Sequence, residues 1–141
     1  MKGQAVLRIL DANGNRALEG LRVCEDIVRF SLDAPGPFRR LRALRHSVAE
    51  AMRRLPVDRR QLLRARHSER DVGRRAPASR ERSLERLLLI NLQRVKESLR
   101  TLEECSRLVA PGTTPAFQRL RFRTYEIERE LLLNVAALRH R

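Results

Sequence analysis

Tryptophan is absent from this 141-residue sequence, which carries only one tyrosine and four phenylalanines. So few aromatics argue against a β-sandwich core, which draws on aromatic and β-branched residues. They favour helices packed through Leu, Val, Ile and Ala. They also argue against a surface that stacks nucleic-acid bases on aromatic rings. Cysteine is scarce too. Cys24 and Cys105 form no CxxC pair and belong to no His/Cys cluster with zinc spacing, so both read as small buried hydrophobes on helices. No apolar run reaches transmembrane length, and the N-terminal stretch MKGQAVLRILDANGN lacks the layout of a secretory signal. A soluble, reduced, cytoplasmic protein is the expectation. The phosphate-binding signatures GxxxxGK[ST] and GxGxxG are also missing. A nucleotide site in this chain is therefore of non-standard construction. No Ser-His-Asp arrangement stands out, and His46, His67 and His140 read as structural rather than catalytic.

What the chain has in quantity is arginine. Formal net charge is +14, and Lys2 and Lys96 are the only lysines. Two readings stay open. GC-rich codon usage inflates Arg without functional meaning, whereas a phosphate-bearing partner would exploit the guanidinium fork. Hydrophobic residues make up 42% of the chain, enough for one compact folded domain.

Apolar spacing predicts a helical bundle and no strand. Val6, Ile9, Leu10, Ala17, Leu21, Cys24, Ile27 and Val28 mark a helix over 5–32, stopped by Ala34-Pro35-Gly36-Pro37. A second helix is expected over 37–55 and a short one from an Asp58 cap to Arg66. Residues 67–80 have no apolar period and read as a loop. A long Leu-rich helix is expected over 81–109, ended by Pro111-Gly112, and a last one over 115–138 with Thr114 as its cap.

The chain also repeats itself. Asn13, Arg16, Glu19, Leu21, Arg22 and Glu25 recur 78 positions later as Asn91, Arg94, Glu97, Leu99, Arg100 and Glu103. Phe38, Arg40, Leu41 and Arg42 recur 79 positions later as Phe117, Arg119, Leu120 and Arg121. The expected product is a single all-α domain of two hairpins related by an approximate two-fold axis. Repeat one covers 5–55, a connecting helix and loop 56–80, and repeat two 81–138.

Helical projection puts Asn13 in the middle of the first apolar stripe, with Ala17, Cys24 and Ile27 within roughly 40° of it. Arg16 falls inside the stripe, Glu19 and Glu25 at its margins, and Arg22 away from it. Asn91 and Arg94 repeat the pattern. A buried unpaired amide costs about 1–3 kcal/mol and a charge more, so these groups need partners. Either Arg16 and Arg94 are satisfied by acids such as Glu19, Glu97 or Glu103, or the halves enclose a polar pocket able to hold an anion and a metal. The Arg66–Gly73 loop has no counterpart in the repeat. It reads either as a solvated linker or as a cover for a ligand, with Gly73 supplying backbone freedom.

The strings ILDANGNRALEGLRVCEDIVRF, LRALRHSVAE, ARHSERDVG, NLQRVKESLRTLEECSRL and FQRLRFRTYEIE occur in this order over nearly the whole chain. Together they resemble the monofunctional hydroxymethylpyrimidine phosphate kinase family of thiamine biosynthesis, an all-helical domain also found fused to the N-terminus of thiamine phosphate synthase. The resemblance implies a cytoplasmic ATP- and Mg²⁺-dependent kinase. Such an enzyme converts hydroxymethylpyrimidine phosphate to the diphosphate that thiamine phosphate synthase consumes. The chain departs from the family pattern at His67 (a carboxylate is usual), at Gly14 (Leu is commoner) and at Arg74 (a small hydroxyl residue is usual).

Phosphoryl transfer between anions rests on positioning and charge neutralisation. On the family's chemistry, Arg16, Arg94, Glu19 and Glu97 are the candidate catalytic residues. Asn13, Asn91, Arg45, Arg66, Asp71 and Arg121 are candidate substrate contacts, and Glu25 and Glu103 candidate metal ligands. Oligomeric state stays open, a homo-oligomer included. No membrane partner is expected. Two alternatives remain: a nucleic-acid-binding helical module, suggested by the charge, and a non-catalytic partner of a thiamine-biosynthetic enzyme.

Overall fold

The computed structural model describes residues 2–76 and 83–139. Among the described residues there are helices and turns and no strands, so the fold is all-α. Helix α1 spans Lys2–Phe30, α2 Pro35–Arg53, α3 Arg59–Ala65, α4 Leu84–Val109 and α5 Thr114–Arg139. Helix α1 packs on α2 and α4, α5 packs on α2 and α4, and α3 lies along α1. The four long helices thus form a ring in the order α1, α2, α5, α4. No described helix is long and apolar enough to cross a membrane.

The ends of the helices follow local chemistry. Asp58 caps α3 through a capping box, accepting from Arg60 N at 3.0 Å while its own N–H donates to Gln61 Oε1 at 3.1 Å. Ser83 caps α4. Two expectations are corrected. The Ala34-Pro35-Gly36-Pro37 stretch does not so much stop α1 as open α2, where prolines fit because the first-turn N–H groups lack partners anyway. The turn itself falls at Ser31–Ala34, with Asp33 in the left-handed region at φ 49°. Thr114 is not a cap. It is already helical, and its buried hydroxyl hydrogen-bonds Ser106 Oγ at 2.8 Å, tying α5 to α4. In the loop after α3, Ser68–Arg70 forms a 3₁₀ turn. Gly73 has no positive φ, so the expected backbone freedom is not used; its N–H donates to Asp71 Oδ1 at 2.8 Å. Residues 77–80 of the predicted loop and 81–82 of the predicted fourth helix lie outside the described residues.

Leu10, Leu21, Leu41, Leu44, Leu92, Leu99, Leu102 and Phe117 fill the core. Each fully buried side chain of this size contributes about 1.5–3 kcal/mol. Helices α1 and α4 run antiparallel: Cys24 Sγ reaches Leu88 O at 3.8 Å, while the earlier residue Gly20 faces the later Val95. Their contact is close. A Cβ at Gly20 would stand 2.9 Å from Val95 Cγ2 and 3.3 Å from the Asn91 carbonyl oxygen. Glycine costs a helix interior about 1 kcal/mol relative to alanine, and here it lets two backbones approach. Gly14 is a second close approach, this time to α2, since a Cβ would stand 2.8 Å from Met52 Sδ. Met52 occupies the room that a larger side chain at position 14 would need, so this departure from the family pattern is a matter of packing.

Each hairpin carries an internal ion pair. Glu25, 1% exposed, takes both nitrogens of Arg45 from α2, Nε closely and Nη2 at 3.2 Å. Glu103, 0% exposed, receives Arg121 of α5 through Nε at 3.2 Å and Nη2 at 3.0 Å. The match between hairpins is incomplete, because the repeat counterpart of Arg121 is the exposed Arg42, one turn before Arg45.

Three outcomes test this packing. Gly20→Ala will lower the urea midpoint despite alanine's better helix propensity, since overpacking costs about 1–3 kcal/mol. Combining it with Val95→Ala will cost less than the sum of the single changes. Glu103→Ala, which strands Arg121, will cost about 3–5 kcal/mol in the same assay, whereas Glu103→Leu with Arg121→Met will cost less. Burial, assisted by the neighbouring Glu25 charge, pushes the Cys24 thiol from 9.0 up to about 12. Between those values the unfolded chain loses a proton that the native chain keeps, so stability falls as pH rises through this window. Thermal melts should show a shallower fall over that range for Cys24→Ala than for the unsubstituted chain.

Candidate functional site

The α1–α4 seam opens on one side into a groove of about 570 Å³ lined by Asn13, Arg16, Glu19, Gly20 and Val23 from α1 and Asn91, Arg94, Glu97, Ser98 and Thr101 from α4. The five residues of each helix are repeat counterparts, offset by 78 positions. The duplication therefore builds both walls from the same side-chain pattern.

Asn13 and Asn91 lie at the floor, each 7% exposed. Asn13 Nδ2 donates to Ile9 O at 2.9 Å, and Asn91 Nδ2 to Leu87 O at 2.8 Å. Each amide spends one N–H on its own helix, which fixes the side chain and leaves the carbonyl oxygen free to accept. The Asn91 Oδ1 atom lies 3.9 Å from the Cβ position of Gly20, on the α1 side of the groove. A free amide oxygen suits an amino group on a ligand and repels a phosphate.

The arginines sit differently from the projection. Arg16 and Arg94 are exposed and stand at the groove walls, not inside the apolar stripe. Long arginine stems leave the stripe and carry the charge to its margin. Among the described residues neither guanidinium has a hydrogen-bond or ion-pair partner. Of the two readings left open by the sequence, pairing with Glu19, Glu97 or Glu103 is not seen among the described residues, and both forks are available for an anion. Glu19 and Glu97 are exposed in the same groove, and Gln93 Nε2 donates to Glu97 Oε1 at 3.0 Å.

A second chamber of about 450 Å³ adjoins the groove and shares Asn13 and Arg16 with it. Its other walls include Arg8, Asp11 and Asn15 of α1 and Arg66, His67 and Asp71 of the connecting loop. Arg66 is held by a two-pronged bond to Asp11, 2.8 Å on each arm, and the Asp11 carboxylate raises its pKa further. Arg66 is thus the loop's anchor on α1 and not a free phosphate clamp.

Four candidates lie outside both spaces. Glu25 and Glu103 are buried and saturated by Arg45 and Arg121, so the expected metal pair is corrected to two internal staples. Arg45 and Arg121 are likewise spent on those acids, with Arg121 raised by its hydrogen bonds to Glu103 and Tyr125. Among the described residues no three of His, Cys, Asp and Glu converge on a common point. The repeat carries a further signal for the groove walls: Gly20/Ser98 and Val23/Thr101 occupy matched offsets on the same face. Arg8 and Asp11 carried no local signal, because only the folded loop brings Arg66 to them.

Three curated relatives cover nearly the whole chain. Thiamine-phosphate synthase of Rhodopirellula baltica is 37% identical over 143 residues, which is 99% of this chain and 38% of the relative. That of Nostoc punctiforme is 36% identical over 92% of the chain and 36% of the relative. That of Synechocystis sp. is 38% identical over 91% and 36%. The chain spans little more than a third of the length of these proteins. No solved structure matches it at a significant level. The ThiD2 family profile matches residues 8–130, and the chain belongs to that family.

Proposed function

We propose that this chain is the phosphorylating domain of a thiamine-biosynthetic route, moving the γ-phosphoryl group of ATP onto hydroxymethylpyrimidine phosphate. The observation that carries the reading is the groove lined from α1 and α4 by two guanidinium groups with no partner among the described residues, two carboxylates and two asparagines tied to their own helices. Family membership and relatives named thiamine-phosphate synthase support the same direction, since a synthase of that kind consumes a pyrimidine diphosphate.

In this reaction an oxygen of the acceptor phosphate bonds to the γ-phosphorus, the bond from that phosphorus to the bridging oxygen breaks, and ADP leaves with the electron pair. The attacking group is already an oxyanion, so no side chain has to remove a proton from it. A groove without histidine suits that demand. The work left for the protein is to hold two anions together, and Arg16 and Arg94 do this with charge-assisted bonds. The Asn13 and Asn91 oxygens accept from the amino group of the pyrimidine or of a base. Mg²⁺ commonly takes one or two carboxylates plus phosphate oxygens; Glu19 and Glu97 fit that habit and would hold it, where it neutralises phosphate charge. The cytoplasm is the matching compartment, and a thiamine phosphate synthase is the matching functional partner.

Purified protein mixed with ATP, Mg²⁺ and hydroxymethylpyrimidine phosphate will release ADP only when the acceptor is present, with the diphosphate visible by phosphorus NMR. Arg16→Ala and Arg94→Ala will each lower kcat/KM by about a hundredfold or more, with melting temperatures close to that of the unsubstituted chain, because both side chains are exposed and unpaired. An absence of acceptor-dependent ADP would overturn the reading. Co-purification with a thiamine-phosphate synthase in that event would favour a non-catalytic partner, a role that relatives nearly three times as long also suit.

A further inference from the structure

The groove is built from matched halves, yet its two ligands differ: one carries three phosphates and the other one. Something must tell them apart, and the connecting loop is one place where the match between the halves breaks. Among the described residues it lines the α1 side, where Arg66 is anchored on Asp11. The repeat counterpart of Asp11 is Leu89, an exposed apolar residue that offers an arginine no bond.

We infer that the loop-lined chamber formed by Arg8, Asn15, Arg66 and His67 beside Arg16 is the polyphosphate subsite of the nucleotide, and that the α4 half, with Arg94, takes the acceptor phosphate. This rests on the kinase reading above for the identity of the two ligands. Charge favours the assignment. The groove balances Arg16 and Arg94 against Glu19 and Glu97. The chamber sets Arg8, Arg16 and Arg66 against Asp11 and Asp71, one positive charge in excess, with Arg66 tied to Asp11. That leaves Arg8 and Arg16 with no partner among the described residues, beside an imidazole able to donate. The longer anion belongs where the unpaired cations are. The two spaces share Asn13 and Arg16 and no other residue. Arg16 therefore marks the junction at which a terminal phosphoryl group entering from the chamber meets an acceptor lying in the groove. The same geometry gives His67 a use. A carboxylate there would face the triphosphate, whereas an imidazole donates to it.

Binding of inorganic tripolyphosphate, read by calorimetry on the whole chain, tests the subsite without requiring turnover. Arg8→Ala lines only the chamber and will weaken tripolyphosphate about tenfold, the loss expected for one charge-assisted hydrogen bond. Asp11→Leu, which copies the other half, removes a carboxylate and frees Arg66 within the chamber, and will strengthen tripolyphosphate binding. Arg94→Ala will leave tripolyphosphate binding within about twofold while weakening hydroxymethylpyrimidine phosphate. Equal losses of tripolyphosphate in Arg8→Ala and Arg94→Ala, or a loss in Arg94→Ala alone, would overturn the assignment. Should Asp11→Leu fold poorly, Arg8→Ala decides, because that exposed side chain has no partner to lose. The predicted binding pattern in a chain that makes no ADP would sink the kinase reading and leave the subsite standing. Conversely, an active kinase whose Arg8→Ala form shows a raised KM for the pyrimidine phosphate and an unchanged KM for ATP would sink the subsite alone.

Discussion

The close antiparallel contact of α1 and α4 at Gly20 is the constraint on which the rest depends. Where Val95 Cγ2 would meet a Cβ at 2.9 Å, the helices are near enough for their asparagines to share one floor. Were they further apart, water would reach Asn13 and Asn91 from every side, and a directed amide oxygen would lose its meaning. Were the asparagines not tied to Ile9 and Leu87, their buried amides would carry a desolvation cost. The back-bond to the preceding turn settles that cost inside each helix, so the opposite helix need not supply a partner. Here packing and polarity are solved together: glycine sets the distance, and an internal hydrogen bond makes a polar floor tolerable.

The second level of organisation is the separation of charges that hold the fold from charges that face the groove. Glu25 with Arg45 and Glu103 with Arg121 lie within the hairpins and are closed to solvent on the acid side. Arg16, Arg94, Glu19 and Glu97 lie between the hairpins and are open. A buried pair need not add stability over an apolar pair of the same size, but it fixes which turn of one helix meets which turn of the next. That register carries through to the seam, since Asn13 and Glu25 share α1 and Asn91 and Glu103 share α4. The abundance of arginine therefore has more than one cause: some guanidiniums fasten helices, some pair with acids on the surface as Arg53 and Arg54 do with Glu50, and a few are left free in a cavity.

The helices were legible because their apolar period is long and unbroken, and the floor of the groove because an asparagine in the centre of a stripe has few explanations. The 78-residue offset made the second asparagine legible from the first. Projection failed where the side chain is long or the partner is distant. It placed Arg16 by its Cα, whereas the guanidinium sits several bonds away at the margin. It placed Glu25 at a margin too, and nothing within α1 says that Arg45 arrives from α2 to bury it. The repeat misled as well as informed, since it pairs Arg121 with Arg42 while the structure uses Arg45, one turn on. At Gly14 the sequence shows a departure from a family pattern but not its setting, since only the fold brings the Met52 side chain into the space beside it.

Duplication alone yields a site with two like ends, and on the kinase reading proposed above a like-ended site has no reason to bind donor and acceptor in a productive order. Either ligand could occupy either half, and many arrangements would place two acceptors or two donors together. A single asymmetric strap removes that degeneracy without disturbing the matched floor. The strap needs one anchor present in one copy and missing in the other, which Asp11 and Leu89 provide. The anchor is a two-pronged arginine–carboxylate bond at the surface, where exposed pairs typically contribute about 1 kcal/mol or less. That modest strength holds the described part of the loop against α1 without burying it. The geometry of Asp11 and Arg66 thus turns a duplicated scaffold into one with a distinct front and back.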